Sequence, residues 1–411
     1  MVARARAAAL AKYDRRMERF DVAIVGAGPA GSTAAYRLAH AGARVLLVDR
    51  ACFPRDKPCG GGLTVRALKQ LPFSVEPVVE DEIHRVRMRF RRRRGFERST
   101  PHLLAAMTQR RRLDHFLVQQ AAGAGAELRE GVKVGAIEPH GNRVELTVDG
   151  VRVTAAALLG ADGVNGIVAR WTGLDQAHRV GVALEGNLAY GGAVTKECYR
   201  GTMVLELGDV PGGYGWIFPK GDHVNLGVGG WGSEGPRLRA HLEQLCAAYG
   251  VDSADLTEVR GYRLPMRRAL ARPARGRVAL IGDAAGLVDP LSGDGMYEAF
   301  VSSRLVTDAV LDLLAGRAES LEPYADRIVA TLAPNAAASW SAKVAVDRFP
   351  RLVFAILWLP PFWSVLERLV RGEIGHPGEA RGAARAPVRL VRALARRAGD
   401  LGRAYRAEAA A

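Results

Sequence analysis

No uninterrupted apolar run in this 411-residue chain reaches the roughly 20 residues that a membrane-spanning helix needs. Cysteine is scarce as well. Cys52, Cys59, Cys198 and Cys246 are too few at this length for a disulfide framework, so a reducing cytoplasm is the expected setting. The opening residues, MVARARAAALAKYDRRMERF, lack the apolar centre of a signal peptide. There is no zinc-type spacing, no nucleic-acid motif and no aromatic stripe among the basic residues, so neither a metal nor a nucleic acid is expected as partner. Acidic residues run short: 43 Asp and Glu face 58 Lys and Arg, a net charge of +15. Two readings stand, a general enrichment in Arg and Ala, or contact with an anionic surface. With nucleic acid set aside, that surface is a membrane. What remains is ordinary for a soluble globular protein: 48% apolar and 25% charged residues, and enough length for more than one folding region.

The chain is organised around Asp21 to Asp49, DVAIVGAGPAGSTAAYRLAHAGARVLLVD. Val22 to Val25 predict a buried strand. Gly26, Gly28 and Gly31 follow as G-x-G-x-x-G, Ala30 to Ala41 predict a helix, and Arg44 to Val48 a second strand. Gly26 permits a tight turn, Gly28 lets a pyrophosphate approach the backbone, and Gly31 lets helix and strand pack closely. The helix start offers free N–H groups and partial positive charge to phosphates. Asp49 is placed to bond a ribose. A lone glycine motif would be weak, but here the whole unit is present. FAD and NAD are not separated by it.

Three glycines, Gly60 to Gly62, lead into a helix expected near Thr64, and Cys59 before them is placed to sit over a redox ring. In residues 83–98, Val86, Met88 and Phe90 alternate with Arg85, Arg87, Arg89 and Arg91, a half-buried strand whose arginine face is solvated or receives phosphate or a lipid headgroup. A helix is expected over 105–122, carrying Arg110, Leu113 and Asp114. Strands follow at 132–137, 144–148 and 151–159, the first two joined by the turn at 140–142. Asp162-Gly163 then marks a turn. Residues 180–230 read as antiparallel sheet in which Tyr214, Trp216 and Phe218 share one face, as core or as the wall of a long apolar ligand site. Gly227, Gly229 and Gly232 repeat the glycine spacing, but no strand ending in an acid follows, so no second nucleotide site is expected there. A strand at 277–281 leads to Gly282-Asp283, and Pro290, Gly293 and Gly295 form a loop that opens a helix. Beyond residue 330 the pattern is helical. Between Arg351 and Glu367 lie 15 uncharged residues broken by Pro360-Pro361, which cap the core or dip into a membrane surface. From Pro387, Val391, Leu394, Ala398, Leu401 and Tyr405 recur at helical spacing beside Arg389, Arg392, Arg396, Arg403 and Arg406, a pattern suited to an anionic interface, although Gly399 and Gly402 weaken the helix.

From Phe20 to about residue 370 these pieces resemble the geranylgeranyl reductase family of FAD-dependent enzymes, related to p-hydroxybenzoate hydroxylase. Gly26-x-Gly28-x-x-Gly31 with Asp49 resembles the FAD fingerprint, with Ala30 and Arg50 beside it. Arg110 in RRRLD is similar to an arginine that the family places near FAD. Asp162-Gly163 and Gly282-Asp283 look like the turns completing the cofactor site, followed by Pro290, Gly293 and Gly295. Lys57-Pro58-Cys59-Gly60-Gly61 resembles the flavin-facing loop. Tyr214-x-Trp216-x-Phe218-Pro219, then seven residues to Gly227-x-Gly229, is similar to the isoprenoid-site signature. Flavin halogenases carry a related W-x-W-x-I-P, from which this chain departs at Tyr214 and Phe218. The tail after residue 375 matches no motif.

The resemblance implies an α/β protein with a Rossmann-type FAD-binding domain in three segments (20–80, 103–178, 263–330). An inserted mixed-sheet α+β substrate domain (81–102, 179–262) and a helical C-terminal region with a basic tail (331–411) complete it. It implies saturation of C=C bonds in a polyprenyl chain, by a hydride from reduced flavin and a proton. Tyr214, Trp216, Phe218 and Pro219 would hold the chain, with Cys59, Gly60, Tyr214 and Trp216 nearest the chemistry and Cys59 shaping the proton side. The expected partners are a membrane surface, met peripherally from the cytoplasm, and an external electron donor, NADPH or ferredoxin-type. The rival readings are a flavin monooxygenase or halogenase and a lipid-binding flavoprotein without turnover.

Overall fold

Val22–Val25 and Val45–Val48 are buried on both faces because helices cover both sides of the parallel sheet they enter. The computed structural model describes residues 17–174, 179–267 and 272–398. In chain order the elements used below are β1 (Glu18–Val25), α1 (Pro29–His40), β2 (Val45–Val48), β3 (Arg85–Phe90), β4 (Arg94–Ser99), α2 (Arg110–Gly123) and β5 (Glu127–Arg129). They continue with β6 (Val144–Val148), β7 (Val151–Gly160), β8 (Arg179–Ala189), β9 (Thr202–Leu207), β10 (Tyr214–Pro219), β11 (His223–Trp231), α3 (Leu238–Ala248) and β12 (Thr257–Met266). The last are β13 (Val278–Leu280), α4 (Met296–Leu314), α5 (Glu322–Arg348), α6 (Pro350–Leu357), α7 (Pro360–Val370) and α8 (Arg385–Arg397).

The first sheet runs β13–β7–β1–β2–β5, all parallel, with β6 antiparallel on β7. This is the doubly wound order of dinucleotide-binding folds, which places a ligand crevice beyond the carboxyl ends of the central strands. The second sheet, β12–β8–β11–β10–β9–β3–β4, is mixed: β9 pairs β3 in parallel and the other pairs are antiparallel. One of its faces buries Val204, Ile217, Leu226 and Val228 beneath Leu242 and Leu245 of α3. The opposite face carries Tyr214, Trp216 and Phe218.

One expectation is corrected. Ala105–Met107 is a strand, and α2 starts only at Arg110. Alanine favours helix locally, but pairing with Gly62–Thr64 and Asp81–Ile83 overrides that preference. The helix expected near Thr64 is present as a short one, Val65–Leu68, preceded by the strand Gly62–Thr64. The arginine face of β3 is ion-paired: Arg85 and Arg87 meet Glu97, and Arg89 meets the buried Glu206.

The C-terminal helices fold back over the second sheet. α6 and α7 meet at 83° around Leu359, and no single helix among the described residues is long and apolar enough to cross a membrane. Val391 and Ala395 of α8 pack with Ala345 of α5 and with Val353 and Ile356 of α6. The apolar stripe through Val391 and Ala395 is therefore a helix–helix contact, while the arginines and Leu390 face outward. Leu401, Arg403, Tyr405 and Arg406 lie outside the described residues.

Candidate active site

The carboxyl ends of β1, β7 and β13 lie side by side, Val25 opposite Gly160 and Gly160 opposite Leu280. Three turns separated widely in sequence thereby meet: Gly26–Gly31, Asp162-Gly163 and Gly282-Asp283. The glycines of the first differ in what surrounds them. Gly26 has φ +101°, and a Cβ there would lie 2.3 Å from the Ala161 carbonyl oxygen. At Gly31 it would lie 1.9 Å from the Gly26 oxygen. At Gly28 the nearest atom is 3.6 Å away, and it is Nη2 of Arg55. Two glycines are closed by packing, and the middle one opens towards a guanidinium. Gly28 also starts α1 with no side-chain cap, leaving the amides of the first turn free for an anion.

The charge here is unbalanced in the direction a pyrophosphate needs. Asp114, fully buried, receives Arg110 through Nε and Nη2, both at 2.7 Å, and Arg55 through Nη1 at 3.0 Å. One carboxylate shared by two guanidiniums leaves positive charge beside the open glycine, and FAD fits this cradle. Asp49 accepts from the Ala27 amide at 2.7 Å and the Ala51 amide at 2.9 Å, so it clamps the glycine loop and retains a lone pair on each oxygen. Arg50 beside it is exposed. Asp162 turns onto its own loop and accepts from the Ile167 and Val168 amides. Gly163, at φ +76°, is left facing Tyr262. Gly282, at φ +58°, lies against Ala30: a Cβ there would meet the Ala30 methyl at 2.9 Å. Asp283 accepts from Tyr262 at 3.0 Å and from Lys57 at 3.3 Å, tying the 57–61 loop to the cradle. The loop from Pro290 through Gly293 (φ +68°) to Gly295 opens α4, again without a side-chain cap, and Tyr214 donates to the Ser292 carbonyl within it.

Across the crevice lies the aromatic face. Tyr214, Trp216 and Phe218 pair with Gly229, Gly227 and Asn225 of β11. A Cβ at Gly227 would stand 2.1 Å from Trp216 Cζ2, so the indole lies flat over a gap made by glycine, and its Nε1 donates to Asn225 Oδ1 at 2.8 Å. Pro219 ends the strand, buried. The Cys59-Gly60-Gly61 loop presses on these rings: a Cβ at Gly60 would be 2.8 Å from Phe218. Gly61, at φ +70°, comes so close to the Thr108 carbonyl and Lys220 Nζ that any side chain would collide, at 2.0 and 2.4 Å. Beyond Phe218 the face continues through Met88, Leu205 and Leu207 beneath Phe354, Leu357 and Trp363 of α6 and α7, one continuous apolar tract.

Two residues here escaped the sequence reading. Lys220, nearly fully buried, donates from Nζ to the Gly60 carbonyl at 2.5 Å and the Thr108 carbonyl at 3.0 Å, and burial pulls its ammonium down to about 8. Glu185 accepts from the Cys59 amide at 2.5 Å, and burial pushes its carboxyl up to about 7. The available signal was a lone carboxylate inside the apolar strand VGVALEGNLA. Among the described residues no cluster of three or more His, Cys, Asp and Glu could hold a metal.

A family profile described as FAD binding domain matches residues 19–324. The chain is similar to a menaquinone reductase of Mycobacterium tuberculosis, 36% identical over 316 residues that span 70% of this chain and 76% of that one. It is similar to digeranylgeranylglycerophospholipid reductase 2 of Methanopyrus kandleri, 31% identical over 347 residues, 75% of this chain and 82% of that. A solved geranylgeranyl bacteriochlorophyll reductase-like protein from Thermoplasma acidophilum superposes with TM-score 0.76 at 21% identity, over 94% of this chain and all of that one. Halogenase PltM superposes with TM-score 0.70 at 17% identity, over 95% of this chain and 96% of that one. At such identities the likeness of the two structures speaks for the fold alone.

Proposed function

Because the chain belongs to the geranylgeranyl reductase family of FAD-dependent oxidoreductases, we propose that it saturates C=C bonds of a polyprenyl chain carried by a quinone or a lipid. The observation that carries this is the aromatic face: Trp216 laid over Gly227, closed from above by Gly60, and continued into the apolar tract beneath α6 and α7. FAD, when bound, supplies the hydride. The protein's part is placement and dryness. Arg55, Arg110 and the start of α1 would hold the pyrophosphate. Lys220 pins the 59–61 loop through its carbonyls, which fixes the distance between that loop and the rings. Trp216 and Phe218 exclude water from the chain they flank. The two relatives are named for a menaquinone and a glycerophospholipid, which favours these substrate carriers over a free small aromatic molecule.

Chemically reduced holoenzyme incubated anaerobically with polyprenyl quinones and lipids is expected to raise product mass by two per double bond, without consuming oxygen. A hydroxylated or halogenated product would assign the site to the monooxygenase or halogenase reading instead.

Loading such a substrate requires access to a bilayer, and the α6–α7 elbow supplies the contact. Leu352, Trp358, Leu359 and Leu390 are each 44–53% exposed, rare for large apolar side chains in this molecule. Arg351, Arg389, Arg392 and Arg396 are exposed on the same helices, and neither α6 nor α8 contains a carboxylate. Trp358→Ser with Leu359→Ser is expected to lower sedimentation with anionic vesicles about tenfold. Neutralising Arg389, Arg392 and Arg396 is expected to flatten its salt dependence, at about 1 kcal/mol each. Deleting α8 is no substitute, because Val391 and Ala395 pack on α5 and α6. Equal binding of wild type and both variants would remove the membrane from this account.

A further inference from the structure

Saturating a C=C bond consumes a proton as well as a hydride, and the hydride is the cofactor's. We propose that Glu185 holds that proton, in a polar pocket whose wall joins the Cys59 loop, β8 and β12 to Arg110 of the cofactor cradle. The inference rests on the reductase reading and deepens it.

Glu185 lies in register with Gly227 of β11, and Gly227 with Trp216 of β10, so carboxyl and indole occupy one face of the sheet across a glycine gap. Its Oε1 is taken by the Cys59 amide, which leaves Oε2 to carry the proton. The pairing of β8 with β12 slips between Glu185 and Asn187, an interruption of the ladder of the kind that re-aims side chains next to active sites. Opposite the slip, Glu258 holds φ +53°, a conformation unfavourable for a residue with a Cβ. From Glu185 outward the polar groups are continuous. Asn225 lines the pocket with Glu185 and donates to Asn187 at 3.0 Å, and Asn187 donates to Glu258 at 3.0 Å. Arg260, in register with Glu185 on β12, reaches Asp56 at 2.9 Å and joins the pocket wall to the Cys59 loop. Water in the pocket therefore has a polar path to the carboxyl, whereas the aromatic side does not.

Of the titratable groups on the pocket wall, Asp56, Lys57 and Cys59 come from the loop, Lys220 from the turn after β10, His223 from the start of β11, Glu258 and Arg260 from β12, and Arg110 and Arg111 from α2. Burial is the largest influence on the carboxyl, Lys220 opposes it and Asp56 adds to it, with the outcome that the acid form persists to near neutrality. In the step, the Glu185 O–H bond breaks as its proton is given to one alkene carbon. The π pair forms the new C–H bond, the other carbon would take the hydride that the bound reduced cofactor supplies, and pocket water returns a proton to the carboxylate. No reagent beyond the reduced cofactor is needed.

Glu185→Gln keeps an acceptor for the Cys59 amide and removes the proton. Single-turnover saturation by the reduced holoenzyme is expected to slow by about 100-fold, the lower range for a lost general acid, and to lose the fall in rate that wild type shows as pH rises through 7. Two readouts need no turnover. The absorbance of the bound oxidised flavin should titrate near pH 7 in wild type and not in the variant, while a transition near 8 from Lys220 persists in both. Ionising Glu185 opposes folding, because its folded value lies above its ordinary 4.5. Wild-type Tm should therefore fall relative to the variant as pH rises from about 4.5 through 7. Should the variant not fold, the wild-type flavin titration decides alone. An unshifted flavin spectrum across neutrality, or a variant with the wild-type rate and pH profile, overturns the assignment of Glu185. A wild type that titrates as expected but saturates nothing overturns the reductase reading instead.

Discussion

Protein carrying Gly28→Val is expected to purify folded and colourless. The three glycines of the first turn are not equivalent: a side chain at Gly31 would occupy the Gly26 carbonyl at 1.9 Å, whereas at Gly28 it meets open space before Arg55 at 3.6 Å. That space is where a pyrophosphate would lie against the amides of α1. Valine there takes nothing from the apoprotein's packing and denies the phosphates their approach, so FAD should fall below one-tenth of stoichiometric while the circular dichroism spectrum is retained. Gly31→Ala, by contrast, is expected to fail to fold, because the carbonyl it meets is backbone and cannot yield. Flavin absorbance per protein, read beside a thermal melt, distinguishes the two. A Gly28→Val protein that is yellow at full stoichiometry would refute the cradle.

The second large effect is expected from a single methyl group at Gly227. Its Cβ would stand 2.1 Å from Trp216 Cζ2 and 2.4 Å from Cε2, so the indole must lift off the sheet and release Asn225. Overpacking of this kind costs about 1–3 kcal/mol. A displacement of about 1 Å in a wall that orients a substrate costs about 100-fold in rate. Gly227→Ala should therefore lose prenyl saturation by about 100-fold while holding FAD, since no cradle residue moves. Gly235→Ala, where a Cβ meets nothing within 4 Å, is the matched control. Saturation by Gly227→Ala at the control's rate would show that the rings are core and no substrate wall.

What could be read from the chain follows the range of the interactions involved. β1, α1 and β2 were legible because their glycines and apolar runs lie within 30 residues and act on one another directly. The aromatic face of β10 was legible because alternation in a strand is local. Ala105–Met107 was not, since its partners at 62–64 and 81–83 are distant and alanine by itself favours a helix. Glu185 and Lys220 were hidden for a related reason: each is one polar residue whose meaning comes from the Cys59 loop, more than 100 residues away in sequence. The stripe of α8 was legible as a stripe, but an apolar face reads alike whether it meets lipid or another helix. The family supplied the rest, above all the identity of the cofactor.

Asp114, shared between Arg55 and Arg110, bears on how long this protein survives in a cell. Without a dianion beside them the two guanidiniums repel, with a single carboxylate to restrain them. A ligand that cancels this repulsion in the folded state and has no counterpart in the unfolded one adds about 2.7 kcal/mol of stability at a hundred times its dissociation constant. Protein stripped of its flavin is therefore expected to melt at a lower temperature than the loaded protein and to be cut faster by protease, a difference that added FAD should close.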